Sequence, residues 1–550
     1  MSVSVAIVGS GPTALYALKN LLRARLPLSV TLIEKDAVAG RGMPYSDTAN
    51  SPAMLANIAS IEIPPVTETL VQWLNRQDDK TLQDLGINRG AINERSFYPR
   101  LLIGAFFEDQ LNRLQMLASA NGHQVEVLTR HEVVDVSPGK SDVTLTIRAG
   151  EDMLHRTFSH AVLATGHAWP DSEAQKPGYY PSPWPSENIW RIPASRVGVI
   201  GTSLSAFDVM SEVARANGLF HYDEAGALRY QQKREDMPLS IALLSRKGVL
   251  PEADFYCPLP AQAPEGFSEE AVRALIAGSK AGLLDRVFAL FYSILQREDP
   301  SYCAGLGLFA PTPERFAAAY FTGREETDPF VHAARNLAEA KANQEATFTV
   351  PWRYAILGMH EAFGIITPFL DEDDLKRFNG TLKGVFADNY ATVPHQAIER
   401  LLALRQAGIV SVEALGPDYD MDRDSVEQGA RLVIGDRELI FDHLVDATGQ
   451  HRLGLNDLPF PTLRDVLEQG RLGSETEEDE ALDTAEDFRL RMPEAYDERV
   501  YCLSLPYLIG RYPFIQGLTA ASDLGETAAR AILTGAEEKT DTADAMIAAA

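Results

Sequence analysis

The residues best suited to binding a cofactor stand near the start of the chain, in a Gly-x-Gly-x-x-Ala pattern from Gly9 to Ala14. The first glycine permits a tight turn, the second lets the backbone approach a pyrophosphate, and the small third residue allows close packing of helix on strand. Glu34 lies 20 residues beyond Ala14, where a carboxylate accepts hydrogen bonds from ribose hydroxyls. The pattern predicts a dinucleotide site, and a purely structural glycine turn is the alternative.

A second, looser version of this turn begins at Gly201, where Ser203 replaces the second glycine and still allows fairly close backbone approach. The next predicted strand ends in Ser-Arg-Lys at residues 245–247, with no acid. Arg246 suits the 2′-phosphate of NADP, because a guanidinium matches the geometry of a phosphate. The alternative is a solvated Arg-Lys pair at a strand end. The candidate NADP-binding residues are Gly201, Thr202, Ser203 and Arg246.

Other segments could also serve a flavin cofactor. Gly42 lies in a glycine-rich segment that could follow the FAD diphosphate, and Asn57 could donate a hydrogen bond to the flavin ring. For each of them an ordinary polar loop is the alternative. Asp523 and Glu526 have the spacing of a capping box, which predicts a helix start there. Such a helix could direct its N-terminus at the electron-rich edge of a flavin, and a purely structural cap is the alternative.

Positioning these residues requires alternating strands and helices. Strands are predicted at residues 3–8, 30–33, 125–128, 133–136, 143–147, 161–164, 197–201 and 240–244, and strand-like sequence resumes over residues 409–447. Helices are predicted at residues 14–25, 202–216, 283–296, 330–345, 353–363 and 397–405. Each glycine turn therefore lies between a strand and a helix.

An internal repeat supports two such units. Residues 158–166 match residues 441–449, and both copies read as a short strand that ends in Ala-Thr-Gly. A hairpin-like pair of strands precedes each copy, and each copy follows its own glycine turn. Two related dinucleotide-binding units would leave this pattern in a sequence.

Composition limits the class of protein. The chain has 550 residues, too many for one ordinary core, and 45% hydrophobic residues, as expected of a globular protein. Its formal net charge of −27 argues against nucleic-acid or anionic-membrane partners, whose phosphates would repel it. No apolar run is long enough to cross a bilayer, and no secretory signal is recognised.

The cysteines point away from disulfide and metal chemistry. Cys257, Cys303 and Cys502 are far apart in sequence, and no Cys-x-x-Cys motif occurs. Neither a zinc knuckle nor a redox-active dithiol is therefore expected, and no metal site is predicted. So few cysteines in so long a chain suggest a reducing, cytoplasmic location.

Several motifs together resemble the bacterial FAD-NAD(P)-binding protein family of two-dinucleotide-binding flavoproteins. They are Gly9-Ser-Gly-Pro-Thr-Ala14, Gly42-Met-Pro-Tyr-Ser46, Met54-Leu-Ala-Asn-Ile58, Ala164-Thr-Gly-His167, Ser245-Arg246 with Leu250-Pro251, and Val385-Phe-Ala-Asp-Asn-Tyr390. That family is similar in architecture to the amino-acid N-hydroxylating and Baeyer–Villiger flavin monooxygenases. The resemblance covers nearly the whole chain.

The resemblance implies roles for particular residues. Residues of the first turn would hold the FAD pyrophosphate, Glu34 the adenosine ribose, and Gly201, Ser203 and Arg246 the NADP. Thr165 would lie beside the cofactor where the chain crosses between domains. The candidate FAD-binding residues are Gly9, Ser10, Gly11, Pro12, Thr13, Glu34, Lys35, Gly42, Asn57, Val134, Thr165, Gly166 and Asp523.

The expected fold class is α/β, with two Rossmann-like dinucleotide-binding domains and a helical insertion. The FAD-binding domain would comprise residues 1–190 and 453–535, and the NAD(P)-binding domain residues 191–255 and 407–452. The helical insertion would span residues 256–406, and residues 536–550 would form a flexible tail.

The expected function is that of an FAD-dependent, NADPH-using monooxygenase or related oxidoreductase acting on a small polar molecule. The flavin would carry the redox chemistry, so no catalytic side chain is assigned. One alternative is a flavin reductase or dehydrogenase without oxygen chemistry. Another is a non-catalytic flavin-binding regulatory protein. The sequence leaves the oligomeric state open.

Overall fold

The computed structural model describes residues 3–168, 176–234, 236–471 and 482–549, with residues 471 and 536–549 described by backbone only. The chain forms two compact units. The first unit comprises Met1–Thr48, Ile58–Ala168 and Gln450–Ala550. The second unit comprises Ala49–Asn57 and Trp169–Gly449. The N-terminal part of the first unit thus ends at Ala168, just after the first Ala-Thr-Gly, whereas the expected boundary was at residue 190. Residues 49–57 belong to the second unit.

The helices and strands follow in chain order. The N-terminal part contains β1 (Val3–Val8), α1 (Pro12–Leu21), β2 (Leu28–Glu34), β3 (Leu55–Ala59), α2 (Leu70–Arg76), α3 (Asp79–Asp84), β4 (Phe97–Pro99), α4 (Arg100–Ala120), β5 (Gln124–Thr129), β6 (Glu132–Pro138), β7 (Val143–Ala149), β8 (Asp152–Phe158) and β9 (His160–Leu163).

The middle part contains β10 (Tyr179–Tyr180), α5 (Ser186–Trp190), β11 (Arg196–Ile200), α6 (Leu204–Asn217), β12 (Gly218–Tyr222), β13 (Leu228–Gln232), β14 (Ser240–Ser245), α7 (Glu269–Gly278), α8 (Leu283–Glu298), α9 (Pro300–Gly305), α10 (Pro313–Glu325), α11 (Pro329–Glu345), α12 (Pro351–Ile366), α13 (Glu372–Gly380), α14 (Leu382–Tyr390), α15 (His395–Gln406), β15 (Val410–Ala414), β16 (Asp420–Asp422), β17 (Ala430–Ile434), β18 (Arg437–Phe441) and β19 (His443–Asp446). The C-terminal part contains α16 (Pro461–Arg471), β20 (Val500–Cys502), α17 (Leu505–Leu508) and α18 (Gly517–Ala549).

The first unit is built on a parallel sheet with strand order β20-β9-β1-β2-β5. Val5, Ala6 and Ile7 of the central strand β1 are fully buried, which explains why that strand is a continuous apolar run. Strands β6, β7 and β8 form a separate antiparallel sheet. Because the strands of the main sheet are parallel, their carboxyl ends meet at one edge, where dinucleotides bind in such sheets.

Helix α18 packs against α1 at very short range. A Cβ added to Gly525 would lie 2.5 Å from the amide nitrogen of Ala17, so only glycine fits at this crossing. The helix begins at Gly517, so the predicted start at Asp523 is wrong, and Asp523 lies inside the helix. It also continues to Ala549, through the residues that were expected to form a tail.

The second unit repeats the parallel architecture, with strand order β10-β19-β11-β14-β15. An antiparallel sheet of β16, β17 and β18 precedes β19, as β6, β7 and β8 precede β9 in the first unit. Helices α7 to α15 follow β14 without an intervening strand, which matches the expected helical insertion. Their core is aromatic, and the Phe291 ring lies 5.4 Å from that of Phe316 and 5.5 Å from that of Phe363, centroid to centroid.

Two of the strands that were not predicted from the sequence, β8 and β12, are largely exposed. Strand β8 pairs only with β7, and most of its residues are exposed, so it lacks the apolar alternation of a half-buried strand. The β12–β13 hairpin is similarly exposed along β12.

Helix α1 spans Pro12–Leu21 and is therefore shifted towards the glycine turn relative to the expected residues 14–25.

Candidate cofactor-binding sites

The turn between β1 and α1 can be made only with glycine at its first position. Gly9 has a φ of +98°, and a Cβ there would lie 2.3 Å from the carbonyl oxygen of Ala164. The Gly9 amide donates to the carbonyl of Ile33 over 2.8 Å. Both neighbouring strand ends, β2 and β9, are therefore held against this residue, and the chain must turn sharply into α1.

The second glycine of the pattern faces another glycine. A Cβ on Gly11 would lie 3.2 Å from the α-carbon of Gly42, and a Cβ on Gly42 would lie 3.0 Å from that of Gly11. Gly11 is the N-cap of α1, with no side-chain cap and no acidic residue in the first turn. An uncapped helix start beside two glycine backbones suits a diphosphate, because amide donors and the helix dipole favour an anion.

Ser10 and Glu34 form a buried pair behind this turn. The amide and the hydroxyl of Ser10 both donate to Oε2 of Glu34, over 3.1 Å and 2.7 Å. The amide of Asp36 donates to Oε1 of Glu34 over 3.0 Å, and the amide of Gly40 donates to the Ser10 hydroxyl over 3.1 Å. A carboxylate has about four acceptor positions, so Glu34 retains capacity for a ribose hydroxyl. Its neighbour Lys35 is exposed.

The segment from Gly40 to Tyr45 lies tightly on α4. A Cβ on Gly40 would lie 2.8 Å from the α-carbon of Glu108, and a Cβ on Gly104 would lie 2.2 Å from the carbonyl oxygen of Tyr45. Nε of Arg41 donates to Glu108 over 2.8 Å. These contacts fix the backbone on which Gly42 reaches the first turn. Burial raises the pKa of the Tyr45 hydroxyl to about 12, so this side chain is neutral.

Thr165 and Gly166 follow the end of β9. The amide of Thr165 donates to the hydroxyl of Ser504 over 3.1 Å, and the two hydroxyl oxygens are 2.7 Å apart. Gly166 has a φ of +72° and open space where a side chain would begin. These residues lie at the same carboxyl edge of the sheet as Gly9.

The other candidate FAD residues have less specific placements. Pro12 is the first residue of α1, and Thr13 follows it, half-buried. Val134 lies at a bulge of β6, where the register with β7 shifts. Asn57 is in β3, in the segment that belongs to the second unit, so its contact with a flavin remains a prediction. Asp523 likewise remains a prediction, without the helix-start argument that suggested it.

His167 is a candidate site residue that was not predicted from the sequence. It follows Gly166 at the same edge of the sheet and is half-buried. Burial and the nearby Arg100 guanidinium lower the pKa of its imidazole to about 4. The side chain is therefore neutral near pH 7. Sequence alone signals only its position after Ala-Thr-Gly, not the burial that changes its charge.

The second glycine turn reproduces the first. Gly201 has a φ of +117°, and a Cβ there would lie 2.8 Å from the carbonyl oxygen of Ala447. Its amide donates to the carbonyl of Leu244 over 2.6 Å. Ser203 is the exposed N-cap of α6 with extended backbone angles, which any L residue can adopt, and its side chain makes no cap hydrogen bond. The preceding Thr202 is half-buried. The serine at the second position is therefore compatible with the turn.

The repeat in the sequence is a repeat in structure. The amide of Ala164 donates to the β1 carbonyl of Val8 over 2.9 Å, and that of Ala447 donates to the β11 carbonyl of Ile200 over 2.8 Å. In each unit the Ala-Thr-Gly strand lies beside the strand that leads into the glycine turn. The prediction of two related dinucleotide-binding units is confirmed.

Arg246 follows β14 and is exposed. Its side chain has no ion pair among the described residues, whereas the adjacent Lys247 pairs with Glu325 at 2.7 Å. A guanidinium that has no partner among the described side chains, beyond the strand that follows α6, fits a 2′-phosphate.

The described residues contain neither a disulfide nor a cluster of metal-ligating side chains. Cys257, Cys303 and Cys502 are buried, and none of them forms a disulfide bond. Burial raises the pKa of the Cys502 thiol to about 12, so it is not a reactive thiolate. Within the described part of the chain, no group of histidine, cysteine and acidic side chains is arranged to hold a metal ion. Nor does any described helix have the length and apolar character needed to cross a membrane.

Comparison with known proteins agrees with this geometry. Residues 6–168 match the FAD-NAD(P)-binding family, and residues 268–390 match the YdhS-like middle domain. The chain is 42% identical to the uncharacterized protein YdhS of Escherichia coli K12 over 529 residues, covering 96% of this chain and 97% of that protein.

Solved structures share the fold at low sequence identity. Ornithine hydroxylase PvdA of Pseudomonas aeruginosa is 13% identical, with a TM-score of 0.53, and the match covers 97% of this chain and 99% of PvdA. The ornithine N-hydroxylase KtzI of Kutzneria sp. 744, solved with reduced FAD, NADP+ and L-ornithine, is 15% identical, with a TM-score of 0.51 and the same coverage. The cadaverine monooxygenase DfoA of Erwinia amylovora is 12% identical, with a TM-score of 0.50, over 97% of this chain and 95% of DfoA. The expected two-dinucleotide-binding flavoprotein fold is thereby confirmed.

Proposed function

The chain belongs to the family of FAD-NAD(P)-binding proteins that includes YdhS, and from that premise we propose that it is an NADPH-dependent flavin monooxygenase of a small polar substrate. The observation that carries the proposal is the difference between two otherwise matching units. The first glycine turn is backed by the carboxylate of Glu34, and the second is followed by the unpaired guanidinium of Arg246. An acid suits a free ribose diol and an arginine suits a phosphorylated ribose, so the two units differ in the nucleotide they accept.

In this proposal the FAD diphosphate lies at the start of α1. Gly9 provides the turn, and the backbone at Gly11 and Gly42 provides the space for the diphosphate. Glu34 accepts a hydrogen bond from the adenosine ribose, and Ser10 holds that carboxylate in place. Bound FAD would supply the redox chemistry, with NADPH as the source of electrons. The roles of these side chains are to bind and orient the cofactor.

Arg246 would select the donor. A charge-assisted contact between a guanidinium and a phosphate contributes about 1.5–3 kcal/mol. NADH lacks the 2′-phosphate and would not gain this binding free energy. The exposed position of Arg246, together with the pairing of Lys247 to Glu325, leaves Arg246 as the side chain of this strand end that can meet the phosphate.

The monooxygenase assignment draws on the shared fold of enzymes named for N-hydroxylation of ornithine and oxidation of cadaverine. Small amines are therefore the first substrates to test. The experiment measures NADPH oxidation, oxygen consumption and hydroxylated product in the presence of ornithine, lysine or cadaverine. Hydroxylated product formed in step with NADPH consumption supports the monooxygenase. NADPH oxidation with no hydroxylated product from any amine contradicts it.

A reductase or dehydrogenase is the second candidate function, and one observation favours a form that does not use a protein dithiol. The three cysteines are buried and lack thiol partners, so a reductase of this chain would pass electrons to an external acceptor without a protein dithiol. Turnover with an artificial acceptor such as a quinone, together with absent amine oxidation, would support this alternative.

A further inference from the structure

The segment that carries Arg246 is held on both sides by other parts of the second unit. Residues 245–253 run from the end of β14 towards the helical insertion. At their start, the carbonyls of Ser245 and Arg246 accept hydrogen bonds from the amides of Leu415 and Gly416, over 2.8 Å and 3.1 Å. The backbone of Arg246 is thus fixed to the chain that follows β15, while its side chain remains exposed.

Helix α10 of the insertion holds the next residue through two contacts. Nζ of Lys247 lies 2.7 Å from Oε1 of Glu325. The same nitrogen lies 4.1 Å from the centroid of the Phe321 ring, within the range of a cation–π interaction. Phe321 is buried, whereas Lys247 and Glu325 are partly exposed. The contacts direct the Lys247 side chain towards α10.

A buried arginine of α10 holds the middle of the segment. Nη2 of Arg324 donates to the carbonyl of Leu250 over 2.6 Å. Its Nη1 lies 2.5 Å from Oδ2 of Asp388 and 3.6 Å from Oε1 of Glu252. The Arg324 side chain is only 9% exposed. This bond network joins α10, α14 and the segment in one buried cluster.

The end of the segment is held by α11 and α12. Glu252 is 4% exposed, and its carboxylate accepts a hydrogen bond from Asn336 over 2.8 Å and lies 2.9 Å from Nε2 of His332. It also pairs with the guanidinium of Arg353. The amide of Ala253 donates to Oδ1 of Asn336 over 2.7 Å.

The charged side chains of residues 245–253 therefore divide into two kinds. Lys247 and Glu252 are engaged by the helical insertion, and Arg246 alone has no side-chain partner among the described residues. A segment fixed at its start, middle and end can present one free guanidinium in a defined direction. Pre-organisation of this kind strengthens a phosphate contact, because less freedom is lost when the ligand binds.

We propose that helix α10 is a positioning element for the 2′-phosphate of NADP(H), with Lys247 and Glu325 as the positioning residues that direct Arg246. The helical insertion then contributes to nucleotide specificity, a role distinct from forming a substrate pocket. This inference rests on the proposed function, since it requires that Arg246 meets the 2′-phosphate. Lys247 and Glu325 act through Arg246 and do not touch the phosphate.

A different arrangement of the same residues makes the opposite prediction. If Lys247 were itself a phosphate ligand, its pairing with Glu325 would compete with NADPH. Neutralising Glu325 would then release Lys247 and increase the preference for the 2′-phosphate. If the pair positions Arg246, neutralising Glu325 decreases that preference. A single variant therefore separates the two arrangements.

The test compares Glu325→Gln with Glu326→Gln in the full-length FAD-loaded protein. Glu326 is exposed and has no ion pair among the described residues. The Glu326→Gln variant therefore removes the same charge one position further along the chain without breaking an ion pair. Calorimetry measures the affinity of adenosine 2′,5′-bisphosphate relative to 5′-AMP, which reports phosphate recognition without turnover. We expect this ratio to fall about threefold in Glu325→Gln and in Lys247→Met, as for the loss of an exposed ion pair, and to be unchanged in Glu326→Gln.

Kinetics provide a second readout on the same variants. KM for NADPH should rise about threefold in Glu325→Gln with kcat unchanged, and Lys247→Arg should retain the wild-type value because it keeps a cation near Phe321. The double variant Lys247→Met with Glu325→Gln should match Lys247→Met alone, since removing Lys247 already removes the ion-pair partner of Glu325. Thermal melts confirm that each variant is folded.

The outcomes distinguish this inference from the proposed function. An unchanged or increased affinity ratio in Glu325→Gln, with a wild type that prefers the 2′-phosphate, overturns the positioning role alone. A wild type that binds both nucleotides equally overturns the NADP assignment of Arg246 itself. A loss of the preference in Glu326→Gln as large as that in Glu325→Gln also overturns the positioning role, because net charge would explain both.

Discussion

The α-carbons of Gly11 and Gly42 face each other closely: a Cβ added to Gly11 would lie 3.2 Å from the α-carbon of Gly42, and one added to Gly42 would lie 3.0 Å from that of Gly11. Glycine at position 11 therefore allows this close packing, apart from the role proposed for it at the FAD diphosphate. This relationship links the first turn to the segment between Gly40 and Tyr45 and is the basis of the first prediction.

Gly42→Ala should reduce FAD content strongly. Gly42 has a φ of +72°, and the new methyl group would press on Gly11 and on Cδ of Pro12 at 3.0 Å. Such strain costs about 1–3 kcal/mol and would displace the start of α1. Gly122→Ala is the matched control, because Gly122 has a φ of +78° and no atom within 4 Å of an added Cβ. Flavin absorbance relative to protein absorbance measures the effect, and equal FAD content in both variants would contradict the proposed role of Gly42 at the FAD diphosphate.

Glu34→Gln should weaken FAD binding by roughly ten- to a hundredfold, the loss expected for a charge-assisted hydrogen bond. FMN binding should change little, because FMN has no adenosine ribose. Titration of the apoprotein with each flavin measures both affinities. Asp36→Asn provides the control, since Asp36 is an exposed acid close to Glu34 whose side chain has no ion pair among the described residues. Equal losses for FAD and FMN would show that Glu34 acts on the fold, not on the ribose.

Arg246→Ala should lower the kcat/KM ratio of NADPH over NADH by about ten- to a hundredfold, as expected for losing a guanidinium–phosphate contact. The kcat/KM for NADPH should fall and the kcat/KM for NADH should be nearly unchanged, because only NADPH carries the 2′-phosphate. Steady-state kinetics with both donors measure it. A parallel decline for both donors would place Arg246 outside the phosphate site.

His167 should make folding stability depend on pH. Its folded pKa of about 4 is below the ordinary value of 6.5, so between these values the unfolded chain binds more protons than the folded one. Its contribution to stability is therefore full near pH 7 and declines as the pH falls from about 6.5 towards 4. The side chain is only half-buried, so the decline should be about 1–2 kcal/mol at most.

The check is urea unfolding of the wild type and of His167→Asn between pH 4.5 and pH 7.5. The stability difference in favour of the wild type should shrink as the pH falls, because asparagine does not titrate. A difference that stays constant, or that grows on acidification, would show that His167 is not held neutral by burial.

The dinucleotide turns were predictable because their chemistry is local. Gly9, Gly11 and Glu34 act through turn geometry and strand ends, and both properties follow from spacing within one βαβ unit. The repeat of Ala-Thr-Gly after each turn was also visible, since Ala164 and Ala447 occupy equivalent places beside Gly9 and Gly201. Such features need no knowledge of distant contacts.

Features that depend on tertiary contacts were not predictable. The start of α18 at Gly517 was missed because Asp523 and Glu526 have capping-box spacing, and nothing local shows that the helix has already begun. The partner of Gly11 could not be assigned, since the segment of Gly42 is held in place by packing against α4, which comes much later in the chain. The pairing of Lys247 with Glu325 joins residues that are far apart in sequence. Spacing rules apply within one short segment and therefore cannot predict such pairs.

The central claim is that this chain passes electrons from NADPH to bound FAD, and anaerobic mixing of the FAD-loaded protein with NADPH tests it most directly. We predict that one equivalent of NADPH removes the visible absorbance of the flavin and that NADH does so much more slowly. A variant with Cys257, Cys303 and Cys502 replaced by alanine should behave as the wild type, because none of the three thiols has a thiol partner. A folded, FAD-loaded protein whose flavin absorbance is unchanged by either nucleotide would contradict the account.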